Sequence, residues 1–319
     1  MRITLLSTIN RDYWAQLEVM IATVLAARQG ATTVEWHVFT DEDGTGWDGW
    51  LSRMNARYGG RGASFVLHAA FCMARAGLPV RGRARPIMYA RLLAPGLLAE
   101  RCARVLYLDA DMMALRPLQE LWATDLGSRL CACVQDLAVP TVAAPMAIRD
   151  HARLGLDPAA PYFNAGVMLI DTARWRDAQI GDRALAYLAE HATAVNLFDQ
   201  EALNVAVAGR WLRVSCAWNL IASVAGRPFL AVDAGQREDY EAGLREPGIV
   251  HFAGTLKPWR NPFLRGRWFD LYHAAVRQAL PSHEFEPSWT HWIQAAYDAR
   301  WRDVVYPVER AVWHARRGF

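Results

Sequence analysis

Two aspartate pairs stand at Asp-x-Asp spacing in this 319-residue chain, and their settings differ. Asp109-Ala110-Asp111 follows the apolar run in RVLYLDADMMALRPL. On extended backbone, side chains two apart share one side, so both carboxylates converge at a strand's carboxyl end. Two hard oxygen ligands there suit Mg²⁺ or Mn²⁺ and leave coordination positions for phosphate oxygens. Asp41-Glu42-Asp43-Gly44-Thr45-Gly46 also follows an extended run. The position where a calcium loop would close on a bidentate Glu is Ser52, so this segment reads as a solvated turn.

A second chemical element is Ile249-Val250-His251-Phe252-Ala253-Gly254-Thr255-Leu256-Lys257. His is a suitable third ligand beside two carboxylates, and Gly254 permits close approach of backbone to a ligand. Lys257 could meet a diphosphate as a point charge. A core histidine followed by a surface lysine is the alternative. Yet Lys257 is the only lysine among 35 basic Lys and Arg side chains, which argues that an ammonium is needed there. Asn164, in Phe163-Asn164-Ala165-Gly166, could bond sugar hydroxyls or simply make a turn. In Phe198-Asp199-Gln200-Glu201, Asp199 is expected to cap a helix and Gln200 to sit in its first turn.

The elements that position these residues alternate. Ile3 to Ser7, Val34 to Thr40, Ser64 to Leu67, Arg104 to Leu108, Leu130 to Val134 and Gly166 to Ile170 read as strands. Trp14 to Arg28 and Trp47 to Tyr58 read as helices. The pattern predicts an α/β fold with a mostly parallel central sheet, whose ligands sit beyond the strands' carboxyl ends. Pro140 to Pro161 reads as irregular surface, and Leu78 to Pro86 as a polar loop that could close, with Phe252 to Trp259, as a lid over the donor. Residues 1 to 280 are expected to form the catalytic domain. Residues 281 to 319, rich in Trp and Arg, read as a C-terminal aromatic and basic helical tail that could lie on a membrane.

A net charge of +3 with 21% charged residues gives no basis for nucleic-acid binding, and 53% hydrophobic content supports a large core. The five cysteines stand at no ligand spacing and read as reduced, structural thiols. The apolar stretch at the N-terminus is too short for a signal peptide, and no run reaches the ~20 residues of a spanning helix. These features predict a cytoplasmic protein, peripheral on a membrane at most.

In combination and order, Tyr89-Ala90-Arg91-Leu92, LYLDADM, FNAGVMLID, FDQEALN and HFAGTLKPW resemble glycosyltransferase family 8. The resemblance runs from Ile3 to about Phe269. It implies a GT-A type nucleotide-sugar domain, a UDP-hexose donor, Mn²⁺ or Mg²⁺, and transfer of galactose or glucose with retained anomeric configuration. It implies a saccharide or glycolipid acceptor, as in lipopolysaccharide or other surface-glycan synthesis. Asp109, Asp111 and His251 match the metal ligands, and Gly254 and Lys257 match the diphosphate contacts. Arg91, Asn164, Asp199 and Gln200 match positions around the donor sugar, with Gln200, supported by Asp199, as the catalytic candidate. Ala110 joins the donor contacts, and Asp136 resembles an acceptor-side carboxylate. Many bacterial members carry an acidic pair and an Asn after the first strand. This chain has Ser7 to Tyr13 instead, leaving Thr8, Asn10 and Asp12 to hold the nucleoside.

Two other readings would use parts of the same pattern. A nucleotide-sugar phosphohydrolase or nucleotidyltransferase also needs carboxylates, a metal and a lysine, but usually has a Gly-rich phosphate loop near the first strand, which Ser7 to Tyr13 lacks. A non-catalytic scaffold on a membrane surface would leave the polar motifs without a shared purpose.

Overall fold

The computed structural model describes residues 1–42, 46–69, 85–225 and 234–281. The chain forms two compact units. The first comprises Met1–Trp14, Arg28–Ala110 and Pro117–Val214; the second comprises Ala15–Ala27, Asp111–Arg116 and Ser215–Phe319. The described strands are β1 (Arg2–Thr8), β2 (Thr33–Phe39), β3 (Ala63–His68), β4 (Arg104–Leu108), β5 (Met112–Ala114), β6 (Cys131–Gln135), β7 (Phe163–Asp171), β8 (Trp211–Val214), β9 (Leu220–Ile221) and β10 (Ile249–His251).

The first unit is built on a sheet of order β3-β2-β1-β4-β7-β6-β8. β1 runs parallel to β2 and β4, β2 parallel to β3, and β6 parallel to β8. β7 alone is reversed, antiparallel to both β4 and β6. The sheet is therefore mixed but mostly parallel, as expected. Val105, Leu106, Tyr107 and Leu108 of β4 are all buried, which is why this strand reads as a continuous apolar run rather than an alternating one. Strand order reverses at β1 and β4, so the carboxyl ends of these two form a crevice of the kind where α/β sheets bind ligands. Thr8 ends β1 there, and Asp109 follows β4.

Helices complete this unit. Trp47–Tyr58 buries Trp47, Trp50, Met54 and Tyr58, spaced to lie on one face. Ala90–Leu97, Thr172–Asp177, Ile180–Glu190 and Phe198–Val207 contribute Leu92, Trp175, Leu188 and Leu203 to a core shared with Val105, Tyr107 and Ile170. The segment from Pro140 to Pro161 contains no helix or strand, only the bridge between Thr141 and Pro161. It is more than surface covering, because Val139, Val142, Ala147, Ile148 and Tyr162 form a small core of their own.

The second unit holds a sheet of order β5-β10-β9, with β10 antiparallel to β5 and parallel to β9. Val19, Met113, Val250, Phe252, Phe269, Tyr272 and Val276 make its core, drawing on the helices Trp14–Ala27 and Arg267–Ala279. Among the described residues, no helix is long and apolar enough to cross a membrane. The expected tail beyond Pro281, residues 78–84 of the expected lid, Asp43 and Cys72 lie outside the described residues. Cys131, Cys133 and Cys216 are buried free thiols, and Cys102 is partly buried.

At the β1–β2–β3 edge, His37 Nε2 lies 3.1 Å from Glu35 Oε1, and its Nδ1 lies 2.9 Å from His68 Nε2. His68 stacks on Phe39 with 4.0 Å between ring centroids. Burial, with the nearby His37 and Arg101, holds His68 down at about 4, against an ordinary value of 6.5. The unfolded chain therefore binds a proton that the folded chain refuses between these two values. Stability is full above pH 6.5 and falls as pH drops toward 4. Thermal melts across that window should show this loss, and His68→Asn should flatten it while lowering Tm at neutral pH. An unchanged slope in the variant would remove His68 from the acid response.

Candidate functional site

In the first unit, Tyr107, two residues before Asp109 on the same strand face, donates its hydroxyl to Asp109 Oδ1 at 2.6 Å. Thr8 Oγ1 lies 3.2 Å from that hydroxyl. Because the Tyr107 proton is committed to Asp109, Thr8 is the donor, giving a chain Thr8→Tyr107→Asp109. Arg91 Nη2 sits 2.8 Å from Asp109 Oδ1, and Arg91 Nε sits 2.8 Å from Asp199 Oδ2. The second contact is ionic rather than a hydrogen bond, since Arg91 Nε has no aligned acceptor. Arg91 also lies over the Tyr107 ring, 4.9 Å from its centroid. Burial would lower the Arg91 pKa, but Asp109 and Asp199 outweigh it and hold the guanidinium firmly charged. Burial raises Asp199, and Arg91 opposes that rise.

Next to this cluster the β6–β7 ladder slips. Cys133 pairs with Met168, but Val134 pairs with Asn164, so Ala165 to Val167 have no partner on β6. A bulge of this kind leaves backbone groups to be satisfied by side chains. Ala165 N–H is taken by Gln200 Oε1 at 3.1 Å, Gly166 N–H by Asn164 Oδ1 at 3.0 Å, and the Ala165 carbonyl by Arg91 Nη1 at 3.4 Å. Gln200 Nε2 and Asn164 Nδ2 both donate to Asp136 Oδ2, at 3.0 and 2.8 Å. The FNAGV motif is thus a bulge whose buried amides, unpaired with β6, are held by Gln200 and Asn164.

Asp199 does not cap the helix Phe198–Val207 as expected; the cap residue is Leu197, and Asp199 lies inside the first turn on Arg91. The capping work falls to Glu201, whose Oε2 accepts from Asn196 N–H at 2.7 Å and Leu197 N–H at 3.3 Å. Phe198 adopts φ +42°, a left-handed conformation that is strained for an aromatic residue, at the point that launches Asp199 and Gln200.

In the second unit, Asp111 is buried between two nitrogens. His251 Nε2 lies 3.2 Å from its Oδ1, and Lys257 Nζ lies 2.6 Å from its Oδ2. Lys257 Nζ also donates to the Phe252 carbonyl at 2.7 Å. Burial alone would raise the Asp111 pKa, yet Lys257 and His251 hold it well below the usual carboxylate range. His251 Nδ1 donates to Asn219 Oδ1 at 2.9 Å. So fixed, the ring turns Nε2 toward a carboxylate oxygen, the arrangement in which a histidine and a carboxylate can share a metal ion. This donor set fits a divalent metal. Gly254, at φ +85°, takes the turn between Phe252 and Lys257 that an L side chain rarely adopts.

Asp111 follows Ala110 and Asp109 directly in sequence. Ala110 is buried. Asn10 Oδ1 is buried with no partner, an acceptor available to a ligand, whereas Asp12 is exposed in the turn Arg11–Tyr13. Sequence reading missed Tyr107 and Asn219. The first was detectable, lying two residues before Asp109 in a strand; the second stands 32 residues before His251 and gives no local signal.

The family model of glycosyl transferase family 8 matches residues 4–262, and the chain belongs to that family. It is 28% identical over 176 residues to general stress protein A of Bacillus subtilis, covering 54% of this chain and 59% of that protein. It is 29% identical over 175 residues to lipopolysaccharide 1,2-glucosyltransferase of Escherichia coli, covering 54% of this chain and 49% of the relative. The matches thus take in only about half the length of these relatives. Among solved structures, the galactosyltransferase LgtC, in complex with donor and acceptor sugar analogues, shares the fold with a TM-score of 0.68. The two chains are 24% identical, and the match covers 89% of this chain and 98% of that one.

Lys257 is the cation that Asp111 holds in this structure, so it should compete with a metal for that carboxylate. Lys257→Met should tighten Mn²⁺ binding measured by calorimetry without nucleotide, by about tenfold, or ~1.4 kcal/mol. The same variant should bind UDP more weakly in the presence of Mn²⁺. Weaker metal binding in Lys257→Met would show that the lysine supports the site rather than competing for it.

Proposed function

We propose that the protein is a retaining glycosyltransferase that moves a hexose, galactose or glucose, from a UDP-sugar to a saccharide acceptor of a surface glycan. The observation that carries this reading is the Gln200 amide. Its oxygen and nitrogen are both fixed, by Ala165 N–H and Asp136, beside an Arg91 that bridges Asp109 and Asp199. A phosphohydrolase has no use for a neutral, oriented amide; a reaction that develops positive charge on a sugar ring does. Family membership and the activities of its relatives, a glucosyltransferase and a galactosyltransferase, support the same class.

The proposed metal ligands are Asp109, Asp111 and His251, each offering one oxygen or nitrogen. When bound, Mg²⁺ or Mn²⁺ would supply Lewis-acid stabilisation of the diphosphate leaving group. Lys257 moves from Asp111 to the diphosphate and offsets part of its growing charge. Thr8 and Asn10 receive the nucleoside, with Asp12 at the rim. As the bond from the anomeric carbon to the phosphate oxygen breaks, the remaining lone pair of Gln200 Oε1 stabilises the ring's oxocarbenium character. An acceptor hydroxyl oxygen then bonds to that carbon on the same face, and its proton passes to the leaving phosphate oxygen. An amide is a poor nucleophile, which favours this route over a covalent glycosyl-enzyme. The aromatic and basic residues after Pro281 would bring the enzyme to an anionic cytoplasmic membrane face, where a glycolipid acceptor resides.

The test is a mass-spectrometric screen of nucleotide sugars with Mn²⁺, scoring donor hydrolysis without acceptor. UDP-galactose or UDP-glucose should be consumed with release of UDP. Asp109→Asn should slow this at least a hundredfold, a loss of ~3 kcal/mol of electrostatic stabilisation. Lys257→Arg should also be clearly impaired, because the planar fork does not replace a compact ammonium. Asp43→Asn should leave the rate unchanged. No turnover of any nucleotide sugar, or a larger loss in Asp43→Asn than in Asp109→Asn, would refute the reading.

A further inference from the structure

We propose that the second unit carries a binding site for a phosphoryl group, formed by Arg265, His273 and Arg277 and using none of the side chains that surround Asp111. A cavity of about 250 Å³ is lined by Pro262, Arg265, Asp270, His273 and Arg277, all within that unit. The local sequence is strongly basic, with four cations and no acid from Lys257 to Arg267. This site is independent of the glycosyl-transfer reading.

The backbone places each lining cation. The Lys257 carbonyl accepts from Arg260 N–H and Asn261 N–H, both at 3.0 Å, and the Asn261 carbonyl accepts from Leu264 N–H at 3.3 Å. Asn261, 2% exposed, also takes Phe263 N–H on its Oδ1 at 3.1 Å. These successive turns deliver Arg265, whose Nη1 donates to the carbonyls of Pro262 and Leu264 at 2.6 and 3.2 Å. One nitrogen of the fork is pinned, and Nε and Nη2 remain for a ligand. From the other side of the turn, the helix Arg267–Ala279 presents Asp270, His273 and Arg277 at i, i+3 and i+7, which puts them on one face.

Charge imbalance makes this cavity a receptor for an anion. Arg277 is exposed and makes no hydrogen bond or ion pair among the described residues. Arg265 bonds only to neutral carbonyls. The lining acid, Asp270, serves the helix start, where its Oδ2 accepts from Gly266 N–H at 3.1 Å, and it pairs with neither arginine. The buried member is His273, whose Nε2 donates to the Pro258 carbonyl at 3.1 Å. Burial lowers its pKa, and Arg265 and Arg277 add to the fall against the opposing Pro258 carbonyl and Asp270. A bound anion would reverse the effect of the arginines on this ring. A phosphoryl group suits two guanidinium forks better than a carboxylate does, because it offers an acceptor oxygen pair to each. A soluble phosphate ester and the headgroup of an anionic lipid present the same chemistry.

The full chain, free of metal and nucleotide, is titrated at low salt with inorganic phosphate and with glycerol 3-phosphate, following the His273 ring by NMR. Both should shift the ring and raise its pKa by about one unit, and acetate at the same ionic strength should not. Arg277→Gln removes a side chain with no protein partner, so it should leave the fold intact and weaken binding about tenfold. Arg260→Gln, at an exposed arginine outside the cavity, should change binding less than about twofold. Response to the soluble probes assigns a free phosphate ester. If those probes leave the ring unmoved, while phosphatidylcholine vesicles containing phosphatidic acid sediment the wild type but not the R265Q/R277Q double variant, the phosphoryl group is a lipid headgroup. An equal ring shift with acetate would overturn the site. So would binding that survives in R265Q/R277Q, or the absence of any response to phosphate, glycerol 3-phosphate and the vesicles alike.

Discussion

Burying carboxylates is expensive unless each is paired and hydrogen-bonded, and that constraint organises the polar clusters of both units. Asp109 and Asp199 share one guanidinium, Arg91; Asp111 has Lys257 and His251; Asp136 has four N–H donors and no cation. The three solutions have different consequences. The Arg91 cluster is fixed, because its fork reaches two carboxylates and a backbone carbonyl at once. The Asp136 arrangement is fixed by saturation. Only the Asp111 pair leaves a cation on a flexible stem, able to exchange one anionic partner for another.

The strained turn before Asp199 follows from the same requirement. A left-handed aromatic residue costs on the order of 1–3 kcal/mol and persists only when its surroundings hold it. Here Glu201, 1% exposed, binds the amides of Asn196 and Leu197 and accepts from the Tyr187 hydroxyl at 2.7 Å. A fourth buried carboxylate is thereby used to hold a backbone turn. The benefit is local: Asp199 and Gln200 leave the turn adjacent in sequence, one toward Arg91 and the other toward Asp136 and Ala165.

Much of this was legible in the sequence where the physics is local. The strand Arg104–Leu108 matches its apolar run to the residue, and Trp47–Tyr58 matches its helical pattern in the same way. Asp109 and Asp111 stand out because a buried strand delivers them, and Lys257 because no other lysine exists. What was not legible depends on pairs far apart in the chain. The reversed strand β7 looks like any apolar strand, since direction leaves no mark on periodicity. The slip between β6 and β7 explains why FNAG has its form, but it arises from register with a strand some 30 residues earlier. Asp199 was misread as a cap because a helix-start signal identifies a nearby carboxylate without telling which one, Asp199 or Glu201, turns back to the backbone.

The contrast between Arg91 and Lys257 shows why one lysine survives in a chain that otherwise uses arginine. A guanidinium is planar, with donors in a fixed fork, and suits a place where two carboxylates must be held in one geometry. An ammonium is a compact charge whose donors rotate, so it can leave one oxygen for another without reorganising its neighbours. Lys257 holds Asp111 and the Phe252 carbonyl and lies over Trp259, 5.1 Å from the ring centroid. All three of these partners tolerate its departure: Asp111 can take a metal ion, the carbonyl can take another donor, and the indole remains apolar. An arginine in the same place would make a bidentate pair with Asp111, and its release would cost more than a metal site can easily supply. On the proposed mechanism the residue type follows from what must happen to the ion pair, rather than from its strength.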